Sequence, residues 1–320
     1  MARVSYGSHS RPRVLAAALV TLTALAALTG CDDKDVAGPA AAGRATGPRT
    51  TAPPTAGERT AGPGTAGPAT ASTPPPSAPA EPSVRAGHQE PPAGDGPLRG
   101  RTVVLDPGHN IRNQDHSAEI NRSVDIGTGR KECDTTGTST NSGYAEAEFS
   151  LDMAHRVRDI LAAQGARVVL THDGDRPYGP CVDERAAIGN AAHADAALSV
   201  HADGAAEGQR GFHVILPAKV KGGRADTGPI VGPSRELGER VAGTFVRETG
   251  SAPSNYIGHG TGLDVRGDLG GLNLSTVPKV FVECGNMRDA QDAARLTDPA
   301  WRARAAQGIA QGIADFVRGR

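Results

Sequence analysis

Three short apolar runs in this sequence each end on a residue that could do chemistry. In "RTVVLDPGHN" (101–110), Thr102 to Leu105 is apolar and rich in β-branched residues, and Pro107 and Gly108 stop the run, leaving His109 on a tight turn. In "LSVHADG" (198–204) a second run ends on His201, and in "KVFVECGN" (279–286) a third ends on Glu283. Imidazole is a good zinc ligand, and catalytic zinc commonly takes two histidines and one carboxylate and keeps a further position open. "GYAEAEFSLDMAHRV" offers a carboxylate at the start of a helix, where Glu146 and Glu148 both stand. Glu283 would then suit a general base beside a metal-bound water.

These residues can meet only if the elements beneath them share one sheet. Strand-like runs occur at 102–105, 166–171, 196–202, 211–216 and 279–285. Helix-like runs separate most of them. Phe149, Met153, Val157, Ile160 and Leu161 fall on one helical face; 183–192 is a second amphipathic run; 234–249 is a third, with Ser234 expected as its N-cap; and 301–317 closes the chain. The polar stretch 289–295 reads as a solvated helix face. This alternation predicts an α/β fold: a single domain with a twisted, mostly parallel sheet of about six strands, flanked by helices. In such sheets ligands bind outside the carboxyl ends of the strands, where His109, His201 and Glu283 are expected to converge. Two long stretches, 110–143 and 217–233, fit no element, and both are expected to wall the cleft on the His109 side.

The rest of the chain sets the context. Lys+Arg number 34 against 35 Asp+Glu, a net charge of -1, so nothing in the composition favours a nucleic-acid partner. Residues 1–30 read as a signal peptide: Arg3, Arg11 and Arg13 precede an apolar stretch from Val14 to Leu28, too short to span a membrane comfortably. It closes on "LTGC", which resembles a bacterial lipobox and makes Cys31 the expected site of lipid attachment. Residues 31–98 are an Ala, Gly, Pro and Thr-rich tether with no apolar periodicity, followed by the folded part at 99–320. An exported, lipid-anchored protein at the outer face of the membrane or in the wall is the expectation. In that oxidising setting Cys133 and Cys181, both in loop-like surroundings, are expected to form a disulfide, whereas Cys284 lies inside a buried-looking strand.

On these motifs the chain resembles the zinc-dependent N-acetylmuramoyl-L-alanine amidases of the amidase-3 type. The D-P-G-H motif is matched by Asp106 to His109, the helix-start Glu by Glu146, R-x-x-x-x-N by Arg185 and Asn190, S-x-H-A by Ser199 to Ala202, and V-E-x-G-N by Val282 to Asn286. Two residues depart from the pattern: Asn110 stands where glycine is usual and Asp203 where asparagine is usual. The resemblance implies one Zn²⁺ held by His109, Glu146 and His201, with Glu283 as the catalytic base. It also implies a peptidoglycan or muropeptide substrate, cut between the lactyl group of N-acetylmuramic acid and L-alanine; the domain is expected to act as a monomer. Helical geometry points the same way for the third ligand. Glu146 aligns with Phe149, Ser150, Met153 and Val157 on the inner face, and Glu148 with Asp152, His155 and Asp159 on a polar one. Two alternatives come from other classes. A wall peptidase using Cys284 lacks an evident Cys–His pair, and a catalytically silent wall-binding lipoprotein would have no need of Glu283.

Overall fold

The computed structural model describes residues 88–89 and 95–320. The expected signal peptide, Cys31 and nearly all of the expected tether lie outside the described residues. In chain order the strands are β1 His88–Gln89, β2 Thr102–Pro107, β3 Ser123–Asp125, β4 Arg130–Glu132, β5 Arg167–Leu170, β6 Ala196–Asp203, β7 His213–Pro217, β8 Lys221–Gly222, β9 Ala225–Asp226, β10 Leu263–Arg266 and β11 Lys279–Asn286. The helices are α1 Ser117–Ile120, α2 Glu146–Ala163, α3 Val182–Ala191, α4 Gly228–Thr249, α5 Gly270–Asn273, α6 Ala290–Thr297 and α7 Pro299–Arg318.

The main sheet runs β1-β5-β2-β6-β11-β7-β10. The central strands β5, β2, β6 and β11 are mutually parallel, β7 and β10 are parallel to each other, and the antiparallel pairs are β1 with β5 and β7 with β11. A largely parallel α/β sheet is therefore present, as the alternation of elements predicts. The two-residue β1 extends one edge beyond the six strands expected.

Alternate residues of the central strands feed two cores. Val103, Leu105, Val168, Leu170, Leu198 and Val200 pack under α2, α4 and α7, with Phe149, Met153, Val157 and Leu161 of α2 fully buried against them. Each such side chain contributes roughly 1.5–3 kcal/mol by leaving water. Val104, Val169 and Ala197 face the other way, towards Ile188 of α3.

Three expectations are corrected. Ser234 is not an N-cap: α4 begins at Gly228, with a proline in its first turn, and continues through Pro233. Ser234 is buried, and its Oγ accepts the backbone N–H of Lys279 at 3.0 Å, which ties α4 to β11. The stretch 217–233 is not an unstructured wall of the cleft, because it forms the β8–β9 hairpin and the first turns of α4. That hairpin braces the β3–β4 hairpin, where Arg224 donates to the carbonyl of Asp125 at 3.2 Å. β10 is a strand that the apolar runs did not reveal.

The stretch 110–143 does line the cleft, and it holds the β3–β4 hairpin and the single turn α1. Cys133 and Cys181 are joined by a disulfide. Among the described residues, no helix is long and apolar enough to cross a membrane.

Candidate functional site

Register brings the three chemical residues together. Pro107 lies opposite Val200 in the β2–β6 pair, and His201 lies opposite Glu283 in the β6–β11 pair, so the three strands end side by side. The turn after β2 puts His109 in the left-handed region, φ 61°, a conformation that costs a non-glycine residue about 1–2 kcal/mol. It is over-determined by its neighbours: Ser150 donates to the carbonyl of Gly108 at 2.6 Å and Arg185 to the carbonyl of His109 at 3.0 Å. Gly108 is required here, since a Cβ would meet the His201 ring at 2.3 Å.

Glu146 is the first residue of α2 and is buried, whereas Glu148 is exposed. Glu146 Oε1 lies 3.1 Å from His109 Nε2 and 2.8 Å from His201 Nδ1. Its Oε2 accepts the N–H of Thr138 at 3.0 Å, and Oε1 also accepts that of Ala202 at 3.3 Å. One donor atom from each of His109, Glu146 and His201 lies within 4.8 Å of the others, and this is the one such group among the described residues. The far side of His109 is equally supported. Its Nδ1 is 3.1 Å from both the carbonyl and the hydroxyl of Thr135, and 3.5 Å from Asp134 Oδ1. With Nδ1–H donating outward, Nε2 is left as a lone-pair donor facing Glu146.

The electrostatics favour a cation at this point. Burial would lower the His109 pKa, but Glu146 and Asp134 override it and push it up to about 10 in the metal-free site. Burial likewise opposes ionisation of Glu146, yet His109 and His201 hold its carboxyl well below the usual range. Glu283 goes the other way: burial, and then the charges of Glu146 and Asp203, raise its pKa well above the ordinary value. Its Oε2 is buried and makes no hydrogen bond. Two imidazole nitrogens and one carboxylate, with further acids close by, form a donor set that fits a divalent cation such as zinc, whose charge would relieve the repulsion.

Beneath the cluster lies a buried ionic network. Asp106 accepts Arg185 at 2.8 Å and Lys279 Nζ at 2.9 Å, and Arg185 also binds Asp134 at 2.8 Å. The sequence singled out Arg185 and Asp106 but not Lys279, Asp134 or Thr135. A lysine opening the otherwise apolar run "KVFV" was the one available signal for Lys279; Asp134 and Thr135 offered none. Arg185 and Asn190 both serve as braces. Asn190 donates to the carbonyl of Leu274 at 2.9 Å and accepts the N–H of Thr276 at 2.8 Å.

The two departures from the family pattern are also accounted for. Asn110 is buried, and donates to the carbonyl of Gly179 at 3.1 Å. Asp203 accepts the Tyr256 hydroxyl at 2.7 Å at the cleft rim. Cys284 is 2% exposed, and burial pushes its thiol well above the ordinary value, which removes it as a nucleophile.

The cleft has two adjoining hollows that share His109, His201, Thr135, Leu269 and Phe281. One extends past Lys131, Asp134 and Arg185, the other past Asp203, Arg266 and Glu283. The Phe281 ring stacks on His201 between them, with centroids 5.3 Å apart.

The family model for N-acetylmuramoyl-L-alanine amidase matches residues 103–315. Over 221 residues the chain is 39% identical to the N-acetylmuramoyl-L-alanine amidase Rv3717 of Mycobacterium tuberculosis, which covers 69% of this chain and 88% of that protein. Among solved structures it is similar to the N-acetylmuramyl-L-alanine amidase Ami1 of Mycobacterium smegmatis, with 40% identity, a TM-score of 0.64, and coverage of 70% of this chain and 99% of that one. Apo Ami1 of Mycobacterium abscessus is comparable, with 40% identity, a TM-score of 0.63, and coverage of 68% and 99%.

Proposed function

We propose that this chain, which belongs to the N-acetylmuramoyl-L-alanine amidase family, hydrolyses the amide between the lactyl group of N-acetylmuramic acid and L-alanine of the peptidoglycan stem peptide, with one zinc ion held by His109, Glu146 and His201. The observation that carries the assignment is the convergence of those three donors beside an unpartnered carboxylate oxygen of Glu283. Zinc at this site would supply Lewis acidity, acidifying water and polarising the lactyl carbonyl.

The protein's own residues do the rest. His109 is kept in its Nδ1–H tautomer by Thr135 and Asp134, so that Nε2 points inward. Glu283 Oε2 takes a proton from the attacking water as the water oxygen bonds to the lactyl carbonyl carbon. The same oxygen returns that proton to the alanine nitrogen as the carbon–nitrogen bond breaks, leaving a lactyl carboxyl group and a free amine. A scissile amide carries a sugar on one side and a peptide on the other. Two hollows meeting at His109 and His201 accommodate both. The signal-like segment and the lipobox-like "LTGC" support delivery to the wall, with Cys31 as a lipid anchor.

The test joins metal analysis of the purified protein to mass spectrometry of digested muropeptides. One zinc per chain is expected, with release of stem peptides that bear a free alanine amine. Chelation should abolish cleavage and added zinc should restore it. Full activity in metal-free protein would overturn the proposal.

A further inference from the structure

We infer that the Cys133–Cys181 disulfide is a positioning crosslink for the metal site: it holds the Asp134–Thr135 step against the far ring nitrogen of His109 and so sets how tightly the cluster binds zinc. The inference rests on His109 being a zinc ligand, as proposed above.

The outer partners of His109 are the two residues that directly follow Cys133. The carbonyl and hydroxyl of Thr135 each lie 3.1 Å from Nδ1, and Asp134 Oδ1 lies 3.5 Å away. Asp134 orients this step further by accepting the N–H of Thr135 on Oδ1 at 2.8 Å. The other half of the support starts at Cys181, the residue just before α3. Its carbonyl accepts the N–H of Arg185 at 2.9 Å, one helical turn on. The Arg185 guanidinium grips Asp134 Oδ2 at 2.8 Å and the carbonyl of His109 at 3.0 Å.

The disulfide therefore joins the base of the segment that carries the acceptors to the base of the helix that carries the cation gripping them. It does so across 48 residues of chain, with both cysteines buried. The adjacent N–H of Val182 donates to the carbonyl of Cys133 at 2.8 Å, so crosslink and hydrogen bond act at one point.

Outer partners of ligating histidines fix tautomer and ring orientation, and their loss typically weakens metal binding about 10–100-fold. The crosslink matters because Asp134 and Thr135 lie in the stretch 110–143, outside the main sheet. Sheet pairing fixes the backbone up to Pro107, whereas residues 133–135 are held by the crosslink together with local bonds: the N–H groups of Cys133 and Asp134 donate to the carbonyls of Arg122 and Ile120, and Asn113 donates to the carbonyl of Thr135.

Four forms of the full chain separate the possibilities: wild type, Cys133→Ser/Cys181→Ser, Asp134→Asn, and the three substitutions together. Zinc dissociation constants come from competition with a chromophoric zinc chelator, and melting temperatures in excess chelator record folding separately. Expected is about a tenfold or greater loss of affinity in the disulfide-free form and a loss of similar order in Asp134→Asn. The combined form should be no more than about two-fold weaker than the disulfide-free one, because both changes act on the same support. Affinity within about two-fold of wild type in the disulfide-free form, or losses that add in full, would overturn the inference. If the serine variant does not fold, wild type with the Cys133–Cys181 bond chemically reduced takes its place: affinity within about two-fold of the oxidised protein overturns the inference and about a tenfold or greater loss supports it. Wild type that neither binds zinc nor cleaves muropeptides would sink the amidase proposal itself. Wild type that does both, with affinity unmoved in the variants, sinks only this inference.

Discussion

The two sides of the cleft are held in opposite ways. On one side His109 and Glu146 are fully engaged. Each Glu146 oxygen accepts a backbone N–H, and both ring nitrogens of His109 have partners. On the other side Glu283 lies within β11, beside His201, with Oε2 making no hydrogen bond. Buried polar atoms are mostly satisfied; among the described residues six buried side-chain atoms are not, and Glu283 is the one of those six residues that lines the hollow shared with His109, Glu146 and His201. Groups that hold something must not move, and so they are tied from behind. A group that takes up and gives back a proton has to keep a lone pair free.

The contrast predicts distinct failures on the two sides. The largest effect is expected from Glu146→Ala, which removes a holding group. Zinc binding should fall by more than the roughly 100-fold that loss of an outer partner brings, and muropeptide cleavage should drop to background. Glu148→Ala, one helix face away, should leave both unchanged. Equilibrium dialysis of the two variants checks this, and loss of metal in Glu148→Ala alone would reverse the assignment.

Next is Glu283→Gln on the reacting side. It should keep its zinc and lose about 10²-fold or more in turnover, the usual size of a general-base effect. Loss of zinc together with activity would make Glu283 a holding group and erase the contrast.

The smallest effect is on stability and sharpens the account of the holding side. Burial would raise the pKa values of Asp106 and Asp134, but Lys279 and Arg185 hold Asp106 well below the ordinary carboxylate range, and Arg185 and His109 do the same for Asp134. A carboxylate with a depressed folded pKa stabilises the fold above its unfolded pKa, and that contribution fades as pH falls through the folded one. The melting temperature should therefore fall progressively below about pH 4, at roughly 2–4 °C per kcal/mol for a domain of this size. A melting profile that stays flat from pH 5 to pH 3 would contradict the role given to the network.

The places where the sequence was informative share a cause. Buried parallel strands are continuous apolar runs, and prolines and glycines punctuate them, so the ends of β2, β6 and β11 could be read directly. The inner face of α2 was legible because helical periodicity is local, and that periodicity separated Glu146 from Glu148. Strand direction was not legible. β7 reads as another buried strand, yet it runs antiparallel to β11, and so its first residue, His213, is the one that pairs with Glu283. β10 was missed because "LDVR" is four residues long, at a sheet edge, and has no fully buried member.

By itself, then, the sequence determined which residues could do chemistry and the strand or helix end on which each sits, because local periodicity and turn residues encode both. Tertiary structure alone decided what surrounds them. The placing of Lys279 on Asp106, of Ser234 on β11, and of Asp134 and Thr135 behind His109 depends on contacts 25–173 residues apart in the chain. No local pattern carries that information. It arises only when buried charges and donors must find partners inside one packed core.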